Sequence, residues 1–316
     1  MSTAAGPFEP FFLRQGYVVL DGGLASELEE LGHDLNDPLW SARLLLEDSE
    51  AIAVVHRNFL AMGADCIGTA TYQASFEGLR ARGLSDAEAT GFFQHAVDIA
   101  VQSRNEFWRD PTNRIGRLKP LVAASLGPYG AFLADGSEYQ GDYGLSAASI
   151  RAFHEGRWRV ILESKADVTA WETIPSRLEA QVLGELLSEA SGAHAWVSFS
   201  CRDGERLCDG TPVSEVVREL DDIPNLVAMG INCTAPEHIT SLLCRMRTAT
   251  EKPLFVYPNR GGQYDAEAKV WEAPPVDIPW RQFISEWREN GVLGVGGCCR
   301  VGSAEIRVIR HALEVA

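Results

Sequence analysis

The sequence predicts an α/β fold, a single-domain (β/α)8 barrel of the TIM type. Three observations point to it. Eight short apolar runs recur along 316 residues, helical patterns lie between them, and no Ser/Gly-rich linker, low-complexity tract or long charge run marks a boundary. Apolar runs without polar alternation suit parallel strands covered on both faces. Such strands alternating with helices over this length suit a barrel, with a doubly wound open sheet as the alternative.

In chain order the runs are YVVLDGG (17–23), DCIGTATY (65–72), PLVAASLG (120–127), VTAWETI (168–174), HAWVSFSC (194–201), LVAMGINC (226–233), PLFVYPN (253–259) and GVLGVGGCC (291–299). Ser49 stands before EAIAVVHRNFLAMG, where Ile52, Val55 and Phe59 share a face and Gly63 is placed to end a helix. Ser85 and Glu88 have capping-box spacing ahead of Phe92, Ala96 and Ala100. Ser303 opens AEIRVIRHALEV after the last run.

Composition narrows the function. Net charge is −16, from 44 acidic and 28 basic side chains, so the surface repels phosphate backbones and nucleic acid is excluded as a partner. The first residues lack a basic segment leading into an apolar one, and no stretch approaches 18 uninterrupted apolar residues. The expectation is a cytoplasmic protein with no membrane partner. Seven cysteines are scattered through the chain, an odd number that argues against a disulfide scaffold and for metal binding or catalysis where cysteines converge. Oligomeric state leaves no mark in the sequence.

Barrel chemistry sits at the carboxyl ends of strands. The polar residues there are Asp21, Thr69, Thr71, Glu172, Cys233, Asn259, Cys298 and Cys299. Three thiolates at one rim favour Zn²⁺ and leave its fourth position open, so that a substrate thiol entering there ionises. Asp21 and Glu172 suit an ammonium group, and the Gly22–Gly23 amides with Thr69 suit a carboxylate. An amino acid with a side-chain thiol satisfies all of these groups. Each has a plain alternative: Cys233 as a small core residue, one of Cys298 and Cys299 facing a helix, Asp21 as a turn former. GVGG is no dinucleotide loop, because the third glycine of that fingerprint falls on Cys299.

The segments LDGGLASELEELG (20–32), DPLW (37–40), GADCIGTATYQAS (63–75), SLGPYGAFLADGSEYQGDY (125–143), WETIPSRLEA (171–180), GINCT (230–234), YPNRGGQYD (257–265) and GVGGCCR (294–300) resemble the homocysteine S-methyltransferase family, over about residues 16–313. The resemblance implies a barrel that uses one zinc per chain to methylate homocysteine to methionine. It makes Cys233, Cys298 and Cys299 the metal ligands, with no catalytic residue beyond the zinc site. Asp21, Glu172 and Thr69 become homocysteine contacts. Two positions depart from the family's usual pattern: Ala70 replaces Asn, and Pro258-Asn259-Arg260-Gly261-Gly262 replaces PNSGE, placing substrate preference in question.

The chain ends 17 residues after Cys299, which leaves no room for folate or cobalamin domains. Its loop GPYGAFLADGSEYQGDY resembles the branch using sulfonium donors, S-methylmethionine ahead of S-adenosylmethionine, rather than betaine. Tyr129, Tyr139 and Tyr143 with Asp135, Glu138 and Asp142 offer aromatic faces and carboxylates to a cation. Alternatives are a selenocysteine or other thiol methyltransferase on the same site, betaine as donor, or a non-enzymatic zinc-binding or thiol redox protein. No CxxC pair supports the last.

Overall fold

A computed structural model describes residues 6–35, 43–262, 264–265, 270–271 and 274–315. The DPLW segment therefore lies outside the described residues, as does part of 257–265. Eight parallel strands form one sheet: β1 (Val18–Val19), β2 (Cys66–Gly68), β3 (Leu121–Leu126), β4 (Val168–Ile174), β5 (Ala195–Phe199), β6 (Leu226–Asn232), β7 (Leu254–Tyr257) and β8 (Val292–Val295). Each pairs with its sequence neighbour from β2 to β8, and β1 pairs with β8. A parallel bridge between Leu20 and Cys66 joins β1 to β2 and closes the ring. The expected barrel is the observed one.

Helices cover the outside. They are α1 (Glu9–Gln15), α2 (Leu24–Glu30), α3 (Leu44–Glu47), α4 (Ser49–Met62), α5 (Phe76–Ala81), α6 (Asp86–Arg109), α7 (Tyr129–Leu133), α8 (Ala147–Leu162), α9 (Arg177–Glu189), α10 (Val213–Leu220), α11 (Pro236–Arg247), α12 (Trp280–Glu289) and α13 (Ser303–Val315). The Ser85–Glu88 capping box forms at α6. Helix α4 starts one residue earlier than its sequence suggests, because Asp48, not Ser49, accepts the Ala51 amide and caps it. Gly63 ends α4 at φ 111°, a backbone that needs glycine. No described helix is long and apolar enough to cross a membrane.

Two apolar layers result. One fills the space between strands and helices, with Phe59, Phe93, Trp171 and Trp287 among its fully buried members. The other fills the lower half of the barrel, where Phe8 from the turn before α1 packs on Trp196 at 5.8 Å and on Phe255 at 5.0 Å between ring centroids. That plug closes the amino end and leaves the carboxyl end open.

The last strand is shorter than its apolar run. It stops at Val295, and Cys298 and Cys299 lie beyond it in a turn. Here the Gly297 amide bonds Asp21 O at 2.9 Å, the Cys298 amide bonds Pro258 O at 2.9 Å, and the Val301 amide closes on Cys298 O at 3.1 Å. The alternation that would turn one cysteine toward a helix therefore never applies.

Candidate active site

Above the plug is a cavity of about 430 Å³. Its lining includes Asp21, Gly22, Gly23, Thr69, Glu138, Tyr139, Glu172, Cys233, Cys298 and Cys299. Cys233 follows β6 at φ 46°, and Arg300 follows the cysteine pair at φ 69°. These unusual backbones turn three sulfurs to one point, all within 4.8 Å of one another, with Cys233 Sγ and Cys299 Sγ at 3.5 Å. Tetrahedral bonds of about 2.3 Å to one zinc would set its sulfurs roughly 3.8 Å apart, so this spacing suits the ion.

All seven cysteines are free thiols. Cys298, Cys299 and the Tyr139 hydroxyl, 3.2 Å away, hydrogen bond to Cys233 sulfur and hold its thiol well below its usual range. Its two neighbours are pushed up correspondingly, as each shares its proton with Cys233. Asn232 steadies the site from β6: its Nδ2 donates to Thr173 Oγ1 at 2.8 Å and lies 3.9 Å from Cys298 Sγ.

The two carboxylates are placed by β1 and β4. Asp21 accepts the Gly68 amide at 2.7 Å. Glu172 sits where the register of β4 against β5 shifts, next to Thr173 at φ 61°, and that break points it into the barrel. It accepts the hydroxyls of Ser125 and Tyr257. Burial pushes Asp21 up to about 7, and the nearby Glu172 charge adds to the rise. Burial likewise pushes Glu172 up to about 7. A cation arriving between them would restore both to the charged form.

Several expected contacts have other roles. The Gly23 amide is taken by Val301 O at 2.9 Å, so it does not face a substrate carboxylate. Both glycines are needed for close approach: a Cβ would lie 2.4 Å from Val301 O at Gly22 and 2.5 Å from Cys298 O at Gly23. Thr69 lines the cavity, but its Oγ1 accepts the Ser125 amide at 3.0 Å and pairs with Thr71 Oγ1 at 2.6 Å. Thr71 donates to Ser125 O, so the Thr69 proton is committed to Thr71.

The loop after β3 divides. Glu138 and Tyr139 reach the cavity, and burial pushes Glu138 up to about 7. Tyr129 and Asp135 do not line it. Tyr129 packs on Phe132, Phe153 and Tyr143, while Asp135 is exposed and accepts the Ser137 amide. The Tyr143 hydroxyl bonds Glu179, and exposed Asp142 accepts the Gly144 amide. Of the two sequence departures, Ala70 lines the cavity, but Arg260 turns outward to Glu305 at 2.8 Å and Asp277 at 3.2 Å.

Ser125, Trp196, Asn232 and Tyr257 also line the cavity, beyond the polar residues the sequence singles out. Tyr257 accepts Trp196 Nε1 at 2.9 Å and bonds Ser198. Their signal was a polar atom inside an apolar strand run, where a buried hydrogen-bonding group needs partners.

The model of a family described as homocysteine S-methyltransferase matches residues 18–313. Homocysteine S-methyltransferase YbgG of Bacillus subtilis is 47% identical over 292 residues, covering 92% of this chain and 93% of that one. The selenocysteine Se-methyltransferase of Brassica oleracea var. italica is 42% identical over 308 residues, covering 94% and 89%. Among solved structures, the metallated form of the homocysteine methyltransferase MmuM from Escherichia coli superposes with a TM-score of 0.85 at 39% identity, covering 98% and 99%.

Proposed function

The chain belongs to the homocysteine S-methyltransferase family, and from that premise we propose methyl transfer from a sulfonium donor to homocysteine at a zinc ion held by Cys233, Cys298 and Cys299. The chain is a methyltransferase enzyme, as its relatives are, which leaves the storage and redox readings without support. One observation supports the site most: three sulfurs within 4.8 Å of one another share a cavity with the carboxylates of Asp21 and Glu172.

Bound zinc would supply a Lewis acid that keeps an incoming thiol ionised at neutral pH. The chain's own groups do the rest. Asp21 and Glu172 take the ammonium group of homocysteine and fix its side chain toward the sulfurs. Thr173 and Asn232 brace β4 against β6, so the carboxylate and the cysteines keep their spacing. Glu138 and Tyr139 bound the side from which the donor approaches. The thiolate pair forms the new S–CH3 bond, the old C–S⁺ bond breaks toward the leaving sulfur, and a neutral thioether departs without needing an acid. The thiol proton leaves to solvent. S-methylmethionine is preferred to S-adenosylmethionine, as the sequence shows no nucleotide-binding fingerprint. Betaine is disfavoured because an amine leaves less readily.

The test is a matrix of acceptors and donors with zinc-loaded protein. Methionine should form from homocysteine with S-methylmethionine, then S-adenosylmethionine, and least with betaine. Betaine turnover equal to that with S-methylmethionine would sink the sulfonium assignment. A selenol acceptor is the second reading, favoured by the 42% identity to the Brassica selenocysteine enzyme. Faster methylation of selenocysteine than of homocysteine would select it.

A further inference from the structure

Glu138 is 9% exposed and lines the cavity that holds the sulfurs, and its Oε2 has no hydrogen-bond partner. Its backbone is fixed from two sides. Ser200 Oγ donates to its carbonyl at 3.1 Å, and a Cβ at Gly130 would lie 2.4 Å from its amide nitrogen. The next residue, Tyr139, reaches to 3.2 Å from Cys233 Sγ. A carboxylate with one unpaired oxygen is therefore held in the wall of the cavity that the sulfurs share.

The buried carboxylate of Glu179, in the helix after β4, is saturated by contrast. Glu179 accepts the Tyr129 amide at 2.7 Å, the Tyr143 hydroxyl at 3.2 Å and His154 Nε2 at 2.7 Å. A buried acceptor left bare is costly unless a ligand completes it. The ligand's sign follows from the lining: among the described residues it carries Asp21, Glu29, Asp34, Glu138 and Glu172 against the single imidazole of His33, and neither Lys nor Arg. A donor's carboxylate meets no Lys or Arg there. A positive centre meets Glu138, with the aromatic surfaces of Tyr72 and Tyr139 beside it.

We propose that Glu138 is the counter-ion for the donor's positive centre and that this subsite selects on charge alone, so that trialkylsulfonium ions with neither carboxylate nor amine are methyl donors. The inference rests on the sulfonium reading above. For trimethylsulfonium, one C–S⁺ bond breaks with its electron pair going to sulfur, and dimethyl sulfide leaves. The homocysteine thiolate forms the new S–CH3 bond, and its proton has gone to solvent.

The experiment gives zinc-loaded protein saturating homocysteine and trimethylsulfonium, and measures dimethyl sulfide in the headspace and methionine in solution. Both should appear in equal amounts. Glu138→Gln should lower kcat/KM for trimethylsulfonium by roughly 10- to 100-fold, through donor KM, with homocysteine KM and metal content unchanged. Glu138→Asp should recover part of the loss. Absence of dimethyl sulfide from protein that turns over S-methylmethionine would overturn this inference alone. So would undiminished turnover in Glu138→Gln, or loss of metal from that variant, which would make the residue a prop for the sulfurs. Turnover with betaine and with neither sulfonium would overturn the donor reading itself.

Discussion

The two ends of the barrel hold carboxylates under opposite conditions. At the amino end Asp65 is fully buried and fully partnered. It accepts Gln15 Nε2 at 2.7 Å, the Val19 amide at 3.1 Å and Arg310 Nη1 at 2.9 and 3.0 Å, with Arg117 at 3.7 Å. At the carboxyl end burial raises Asp21, Glu172 and Glu138 to about 7, and one oxygen of Glu138 has no partner. Backbone strain divides the same way. Among the described residues the non-glycine positive-φ positions are Ala134, Thr173, Cys233 and Arg300, all at the carboxyl end. Such backbones cost of order 1–3 kcal/mol each and persist where surrounding structure enforces them. The base is complete as folded, whereas the rim awaits ligands.

If that contrast holds, substitutions at the rim change chemistry and those at the base change stability. The largest effect belongs to Cys298→Ser, which should lose most of the metal and nearly all methyl transfer while remaining folded. Full metal retention in both Cys298→Ser and Cys299→Ser would erase the distinction. Next comes Asp65→Asn, which removes the buried charge partner of Arg310, leaving it Glu314 and the Gly63 carbonyl, and should destabilise by about 3 kcal/mol, read by urea unfolding, with metal content and homocysteine KM unchanged. A KM change equal to that of a rim variant would merge the two ends.

Asp21→Asn and Glu172→Gln should each raise homocysteine KM by roughly 10- to 100-fold without loss of metal or stability. Unchanged kinetics in both would remove them from the substrate site. A pH effect sharpens the point. In metal-free protein both carboxyls sit near 7, above unfolded values of about 4. Between those limits the folded chain binds more protons, so their contribution to stability falls as pH rises from about 4 to about 7. The double variant minus wild-type difference in Tm should grow more positive across that window, and a flat difference would contradict the raised values. Smallest is Cys244→Ser: this exposed residue, bonded to Asn290, should change stability by less than about 0.5 kcal/mol and leave metal intact.

The barrel and its cluster of three cysteines were legible because their signals are local or repeated. Eight apolar runs set the strands, and three cysteines stood at the ends of two of them. Turns formed by distant contacts were not legible. The run 291–299 reads as one strand, yet Gly297 bonds Asp21 O and the chain turns at Cys298. Gly23 reads as an anion-binding amide, but its amide goes to Val301 O, remote in sequence. Tyr129 and Asp135 read as part of one cation-binding loop, which packing divides by turning Tyr129 against Phe153. Tyr257, Ser125 and Asn232 look like strand core until the barrel closes and their polar atoms meet Glu172 and the sulfurs.

The most direct measurement is zinc-edge X-ray absorption on metal-loaded protein before and after homocysteine is added. Three sulfur ligands from the chain, with one position open, predict a rise from three sulfurs per zinc to four as the substrate thiol binds. A sulfur count that stays at three while homocysteine is bound and methylated would contradict the thiol's binding to zinc.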